Sequence, residues 1–286
     1  MISLRQVRWV SVLTTVILAA SATAAAADPP DPPGGGATTG PSTGRPDGGD
    51  KPSGVRPDQR QRLLGKDWQR SEDRMWTTMG DATGFHVLVA EARTGYTWRT
   101  AASLSIQGVE TDQWIGNVCV TASGRRAVVV YAPRTYTNRS DLFDRGGFTA
   151  VVDLVSGAVT DLPVRTTLAY FNPACGAGET AVLTQGGDGD LGRTRVMTVA
   201  TETGALGRRI EVPGQLTSAI PTSAGIVAAD SGALVRLDDD GTRHVVAPAT
   251  GVPFHLTAAS GGGVVFLDRT GDQSTVRRLA RIPGRG

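Results

Sequence analysis

For residues 73–286 the sequence predicts an all-β domain of about five small antiparallel sheets, the last incomplete. Three observations carry that expectation. Leu216 to Ala249 (LTSAIPTSAGIVAADSGALVRLDDDGTRHVVAPA) and Pro253 to Arg281 (PFHLTAASGGGVVFLDRTGDQSTVRRLAR) repeat one pattern. Each has a polar-edged strand, a Gly turn, an apolar strand, a second Gly turn and an alternating third strand, and the first copy adds a fourth. The pattern returns with variations upstream to about Arg74, and no segment after Glu72 sustains a helical period. A sheet of a few short strands cannot bury both its faces alone. Sheets repeated at this spacing must lean on one another, which is a β-propeller-like arrangement.

Residues 1–27 read as an export signal. Arg5 and Arg8 precede an apolar run from Val10 to Ala20, and the small residues Ala25-Ala26-Ala27 mark cleavage before Asp28. An uncleaved anchor is the alternative, but the apolar core is shorter than the roughly 20 residues a spanning helix needs. No stable membrane insertion is expected after cleavage, and no Cys follows the apolar stretch to carry a lipid. Residues 28–57, PPDPPGGGATTGPSTGRPDGGDKPSGVRP after Asp28, hold almost nothing that enters a core. Such a stretch cannot offset the entropy of ordering, so a disordered Pro/Gly-rich linker is expected. Residues 58–72 read as a short polar collar, helical around Gln59 to Leu64 with Asp58 as a candidate cap.

Within the repeat, Gly84, Gly124, Gly178, Gly225 and Gly262 mark the first tight turn of each unit. The longer intervals contain two polar insertions, Arg134 to Gly147 and Gly186 to Thr194, and loops tolerate such insertions where strands do not. Second turns are expected at Arg93-Thr94-Gly95, Asp153 to Gly157 and Thr201 to Gly204, between β-branched runs such as FHVLVAEA and RAVVVYAP. Asp238-Asp239-Asp240-Gly241 is expected to form a type I′ hairpin turn. The scheme gives four units of four strands and a fifth of three. Either the natural chain continues into further blades or five irregular blades close the ring.

Here the residues carry a resemblance. VVDLVSGAVTDLPV and TVATETGALGRRIEVP resemble the strand, D-x-x-T/S-G turn and strand of YVTN or WD40-like propellers. The order of export signal, Pro/Gly tether and repeats is similar to the N-terminal parts of large secreted actinobacterial proteins. The resemblance implies the fold and an extracellular or wall-associated location. It leaves function open, because propellers include scaffolds, binders and enzymes.

The 286-residue chain has a formal charge of +2, and its arginines are scattered among acids. The doublets Arg125-Arg126, Arg208-Arg209 and Arg277-Arg278 fall at predicted turns or outer strands, where charge discourages edge pairing. No basic face for nucleic acid is indicated. Cys119 and Cys175 each fall on or at the end of a first strand, neighbours around the channel. A disulfide is one reading of the pair, two buried thiols the other. No spacing of Cys or His fits a zinc site, and no cofactor is indicated.

No nucleophile elbow, zincin helix, Walker loop or dinucleotide loop occurs, so no catalytic residue is assigned. His86 and His244 fall on predicted second and fourth strands, His255 on a first strand near the channel. Asp188 and Asp190 superficially suggest a calcium loop, but the rest of an EF-hand is missing. If a ligand site exists, Trp114, Asn117, Tyr170, Asn172 and His255 are expected to converge near one channel mouth. The alternative places Trp114 and Tyr170 between blades. The sequence thus points to an exported, non-enzymatic binding platform for a protein or a cell-wall glycan, part of a larger extracellular protein. A secreted hydrolase or lyase working through His255 and a dedicated glycan-binding module are the competing readings.

Overall fold

The β-branched runs with glycine turns form strands as expected. The computed structural model describes residues 54–168, 171–186, 192–259 and 261–282. The leader, most of the linker, Tyr170, Asp188 and Asp190 lie outside the described residues. Those described form five antiparallel sheets in chain order. Sheet 1 contains β1 (Arg74–Asp81), β2 (Gly84–Glu91) and β3 (Trp98–Leu104). Sheet 2 contains β4 (Trp114–Val120), β5 (Arg126–Pro133), β6 (Gly147–Asp153) and β7 (Val159–Thr166). Sheet 3 contains β8 (Ala174–Cys175), β9 (Thr180–Gly186) and β10 (Arg193–Ala200), whose outer edge pairs with β11 (Ala205–Leu206) and β12 (Ile210–Pro213). Sheet 4 contains β13 (Ser218–Thr222), β14 (Gly225–Asp230), β15 (Ala233–Leu237) and β16 (Arg243–Pro248). Sheet 5 contains β17 (Val252–Ala258), β18 (Val264–Thr270) and β19 (Gln273–Leu279).

Alternation explains the stacking. In β5, Val129 and Tyr131 pack with Phe85, Val87 and Val89 of sheet 1, whereas Val128 and Val130 pack with Leu183 and Val199 of sheet 3. Successive side chains of a strand point to opposite faces, so a sheet apolar on both faces joins two neighbours. Sheet 3 meets sheet 4 through Val182, Val196 and Leu237, and sheet 4 meets sheet 5 through Ile220, Leu234 and Phe266. Each fully buried Val or Leu of these seams contributes on the order of 1.5–3 kcal/mol. Among the described residues no cluster of buried apolar side chains joins sheet 5 to sheet 1.

Sheet 1 departs from the expected four strands. Its three strands lead into Ser105 to Gln113, where Val109 N–H donates to the Ile106 carbonyl and Gly108 adopts a φ of 78°, so the chain turns instead of pairing. An odd strand count has a topological consequence: the chain leaves sheet 1 at the end opposite to that of a four-stranded unit. β4 therefore runs against β1. Gly80, near the end of β1, lies against the carbonyl of Trp114 at the start of β4, and only a residue without Cβ fits there. At the other end, Arg74 donates to the Gly124 carbonyl at 2.6 Å, beyond the end of β4.

Two local expectations are corrected. Asp58 does not cap a helix: Pro57 starts a 3-10 turn over Pro57–Gln59, which places Asp58 inside it, and α1 (Arg60–Leu64) follows from Gln59 without a side-chain cap. Asp238 to Gly241 is not a type I′ turn. Gly241 N–H donates to the Asp238 carbonyl at 3.0 Å, Gly241 takes a φ of 86° and Thr242 completes a five-residue loop; a type I′ turn needs positive φ at both central residues, and Asp240 lacks it. The Asp153 to Gly157 turn forms as expected, with Gly157 N–H on the Asp153 carbonyl at 2.8 Å and the Asp153 carboxylate accepting from the Val155 and Ser156 amides. The Arg134 to Gly147 insertion folds into a 3-10 turn and α2 (Ser140–Arg145).

Candidate functional site

Four of the innermost strands meet around one cavity. It has a volume of about 590 Å³ and is lined by Trp76 of β1, Asn117 to Val120 of β4, Ala174 and Cys175 of β8, and His255 to Thr257 of β17. The segment entering β8 contributes Leu168, Phe171 and Pro173. The domain is β-propeller-like.

No family model matches the sequence, and no curated protein matches it. Among solved structures the chain is similar to TolB from Acinetobacter baumannii, with a TM-score of 0.49 and 15% identity over 76% of this chain and 52% of that one. It is also similar to a prolyl endopeptidase, with a TM-score of 0.48 and 15% identity over 74% of this chain and 32% of that one. A third similarity is to the β-propeller domain of the Trilobed protease from Pyrococcus furiosus, with a TM-score of 0.47 and 11% identity over 74% of this chain and 67% of that one. The chain thus spans about half of the first protein and a third of the second, and these likenesses carry no inference about ligand or activity.

The wall of the propeller channel is built by a clip and a brace. Cys119 and Cys175 are joined by a disulfide with Cα atoms 5.5 Å apart, tying β4 to β8. Asn117 donates through Nδ2 to the Leu168 carbonyl at 2.5 Å, fixing the start of the segment that carries Phe171. Asn172 holds the other end. Its amide donates to the Thr167 and Thr184 carbonyls at 2.6 and 3.2 Å and accepts from the Thr184 N–H at 2.8 Å. The Asn172–Pro173 bond is cis.

Two aromatic side chains are presented by strained backbone. Phe171 has a φ of 54° and His255 a φ of 52°, both in the left-handed region that non-glycine residues rarely occupy. A register shift between Phe254 and Thr257 marks an irregularity in β17, and such bulges re-aim side chains. Here the result is a parallel stack: the Phe171 and His255 rings lie 4.1 Å apart at an interplanar angle of 4°. The Phe254 ring lies 5.8 Å from that of Phe171 at an interplanar angle of 29°. Phe171 is 41% exposed and Trp76, which also lines the cavity, 43%.

The candidates read from the sequence separate into three groups. Asn117 and His255 line the cavity. Asn172 is buried and its amide is used within the fold, so it positions Phe171 and does not face the channel. Trp114 is 1% exposed and packs 5.8 Å from Tyr131 and 6.4 Å from Phe148, in the seam between sheets 1 and 2. Tyr170 lies outside the described residues. His86 bonds Ser103 Oγ at 2.8 Å and lies 3.1 Å from Asp81, and His244 bonds Asp238 at 2.6 Å, both away from the cavity. Sequence reasoning missed Trp76 and Phe171. The first-strand rule that selected His255 applies equally to Trp76, whereas Phe171 carried no signal, because its exposure depends on a left-handed backbone.

Two carboxylates in the domain are held ionised by dense hydrogen bonding. Burial opposes ionisation of Asp268, but bonds from the Thr250 and Gly251 amides, the Thr250 hydroxyl and Arg277 outweigh it and hold the carboxyl at about 2. The same balance lowers Glu179, where bonds from Ser123, Thr121 and Arg126 overcome burial and link sheet 3 to sheet 2. Burial pushes the Tyr131 phenol up to about 12. Among the described lining residues of the cavity, His255 is the single imidazole.

Proposed function

We propose that this chain is an exported, non-enzymatic binding domain whose ligand enters the channel mouth against Trp76, Phe171 and His255, and that the ligand is a wall glycan. The leader-like residues 1–27 and the Pro/Gly linker support export and tethering as part of a larger extracellular protein. The observation that carries the reading is the exposed ring set around the cavity. Two half-exposed aromatic faces border a volume of about 590 Å³, and flat apolar rings are the surfaces on which sugar rings stack. A hydrolase working through His255 is less well supported. General acid–base hydrolysis needs a second titrating group within reach, and the described lining supplies one imidazole covered by a phenyl ring.

The test is sedimentation of the purified protein with insoluble peptidoglycan, compared for wild type, Trp76→Ala and Phe171→Ala. Glycan binding predicts at least a tenfold loss of bound protein for each variant. Undiminished sedimentation of both, or turnover that disappears with His255→Ala, overturns the reading.

A further inference from the structure

His86 carries a hydroxyl on one ring nitrogen and a carboxylate on the other. Its Nδ1 lies 2.8 Å from Ser103 Oγ, and its Nε2 lies 3.1 Å from an oxygen of Asp81. The three residues come from the three strands of sheet 1. His86 and Ser103 are direct partners across β2 and β3, and Asp81 ends β1 at the turn into β2. Phe85 and Val87 point into the seam with sheet 2, so by alternation His86 points to the outer side of sheet 1. None of the three lines the channel cavity.

The carboxylate decides how the ring is protonated. Asp81 accepts from the Thr83 hydroxyl at 2.6 Å, the Thr83 amide at 2.7 Å and the Gly84 amide at 3.2 Å. The bonds from Thr83 and His86 keep its carboxyl well below the ordinary carboxylate value. An ionised carboxylate only accepts, so in the neutral ring the proton sits on Nε2 and the lone pair on Nδ1. That lone pair faces Ser103, whose hydroxyl donates to it. A hydroxyl bonded to a base that a third group orients is an activated nucleophile. Ser103 is exposed, so a reagent in solution reaches it.

We infer that Ser103 is a site of O-acylation, a nucleophile that takes an acyl group from an activated carboxylic ester such as an aryl ester or a thioester. Ser103 Oγ bonds to the carbonyl carbon as its proton passes to His86 Nδ1. The bond from that carbon to the leaving oxygen or sulfur then breaks, the leaving group departs with the electron pair, and Nδ1 gives up its proton to the leaving group or to water. The Ser103 ester that remains has an alkoxide as its leaving group, poorer than an aryl oxide or a thiolate, so it persists. The product is a modified chain and not turnover, and it is separate from the glycan reading, which uses Trp76 and Phe171.

The test treats the purified protein with 4-nitrophenyl acetate and locates acetyl groups by peptide mass spectrometry, with Lys66 as the internal reference for the reagent. General-base assistance is worth roughly 10²–10⁴-fold, so Ser103 is expected to be acetylated, relative to Lys66, at least tenfold faster in the wild type than in His86→Gln. Asp81 is a positioning residue that acts through His86, and the imidazole ¹⁵N shifts of the neutral ring read its effect. The proton is expected on Nε2 in the wild type and shared between both nitrogens in Asp81→Asn. Circular dichroism checks that each variant is folded. An unlabelled Ser103 in the wild type, equal labelling in His86→Gln, a wild-type proton on Nδ1 or a tautomer unchanged by Asp81→Asn overturns the inference. So does nitrophenolate release that continues past one equivalent per chain and stops with Ser103→Ala, which is the behaviour of a hydrolase.

Discussion

The phenyl ring of Phe171, in the segment entering sheet 3, covers the imidazole of His255 in sheet 5 face to face, although the two residues are 84 positions apart in the chain. Such a stack is worth roughly 0.5–1.5 kcal/mol beyond area burial, which is comparable to the cost of the left-handed backbone at either residue. Replacing Phe171 with Ala is therefore expected to leave the melting temperature within a few degrees of wild type while uncovering His255. Differential scanning calorimetry checks the first part, and the peptidoglycan sedimentation assay checks the loss of binding.

Two tryptophans should behave oppositely. Trp114 fills the seam between sheets 1 and 2, so Trp114→Ala removes a buried indole and is expected to cost about 3–5 kcal/mol. Trp76→Ala removes a half-exposed ring and should change stability by far less. Urea unfolding of the two variants tests the contrast, and equal losses would contradict the assignment of Trp114 to the core and Trp76 to the channel.

The disulfide closes a long loop, Cys119 and Cys175 being 56 positions apart in the chain. In the chain-entropy account such a cross-link contributes about 4 kcal/mol. Cys119→Ser/Cys175→Ser protein is expected to melt roughly 8–16 °C below wild type, at 2–4 °C per kcal/mol for a domain of this size. The comparison is made by thermal unfolding under oxidising conditions.

Asp268 gives a pH signature of defined sign. Its carboxyl is held at about 2 in the folded protein, below the ordinary carboxylate value of about 3.9. A depressed folded value contributes stability that is fully present above the unfolded pKa and is lost as pH falls through the folded one. Asp268→Asn should therefore be much less stable than wild type at pH 7, and the gap should narrow between about pH 4 and pH 2. Urea titrations of both proteins at several pH values measure it; a gap independent of pH would contradict the assignment.

Gly80 sits where β1 crosses close to β4. Gly80→Val places branched carbon against the Trp114 carbonyl and is expected to separate the first sheet from the second, exposing Trp114 to solvent. A red shift of tryptophan emission in the otherwise native buffer reports that separation.

Most of the sheet order was legible because turn chemistry and alternation are local. Gly124, Gly157, Gly204 and Gly262 all take positive φ at the turns they were expected to mark. The three-stranded first sheet was not legible, since Ser105 to Gln113 contains Ile106 and Val109 and only its hydrogen bonding distinguishes a connection from a strand. At the site, Asn117 and His255 were readable from their place on first strands. Asn172 was read as a ligand amide because the residue type alone does not reveal that both ends of its side chain are spent on Thr167 and Thr184.

By itself the chain specified the β-rich composition, the places where it turns and the apolar character of both faces of the middle sheets, because each depends on a few neighbouring residues. Only the tertiary structure decided that β4 runs against β1, and that Trp114 is buried while Trp76 reaches the channel. Those outcomes depend on which sheet lies next to which, a relation between segments far apart in the chain that no local pattern encodes.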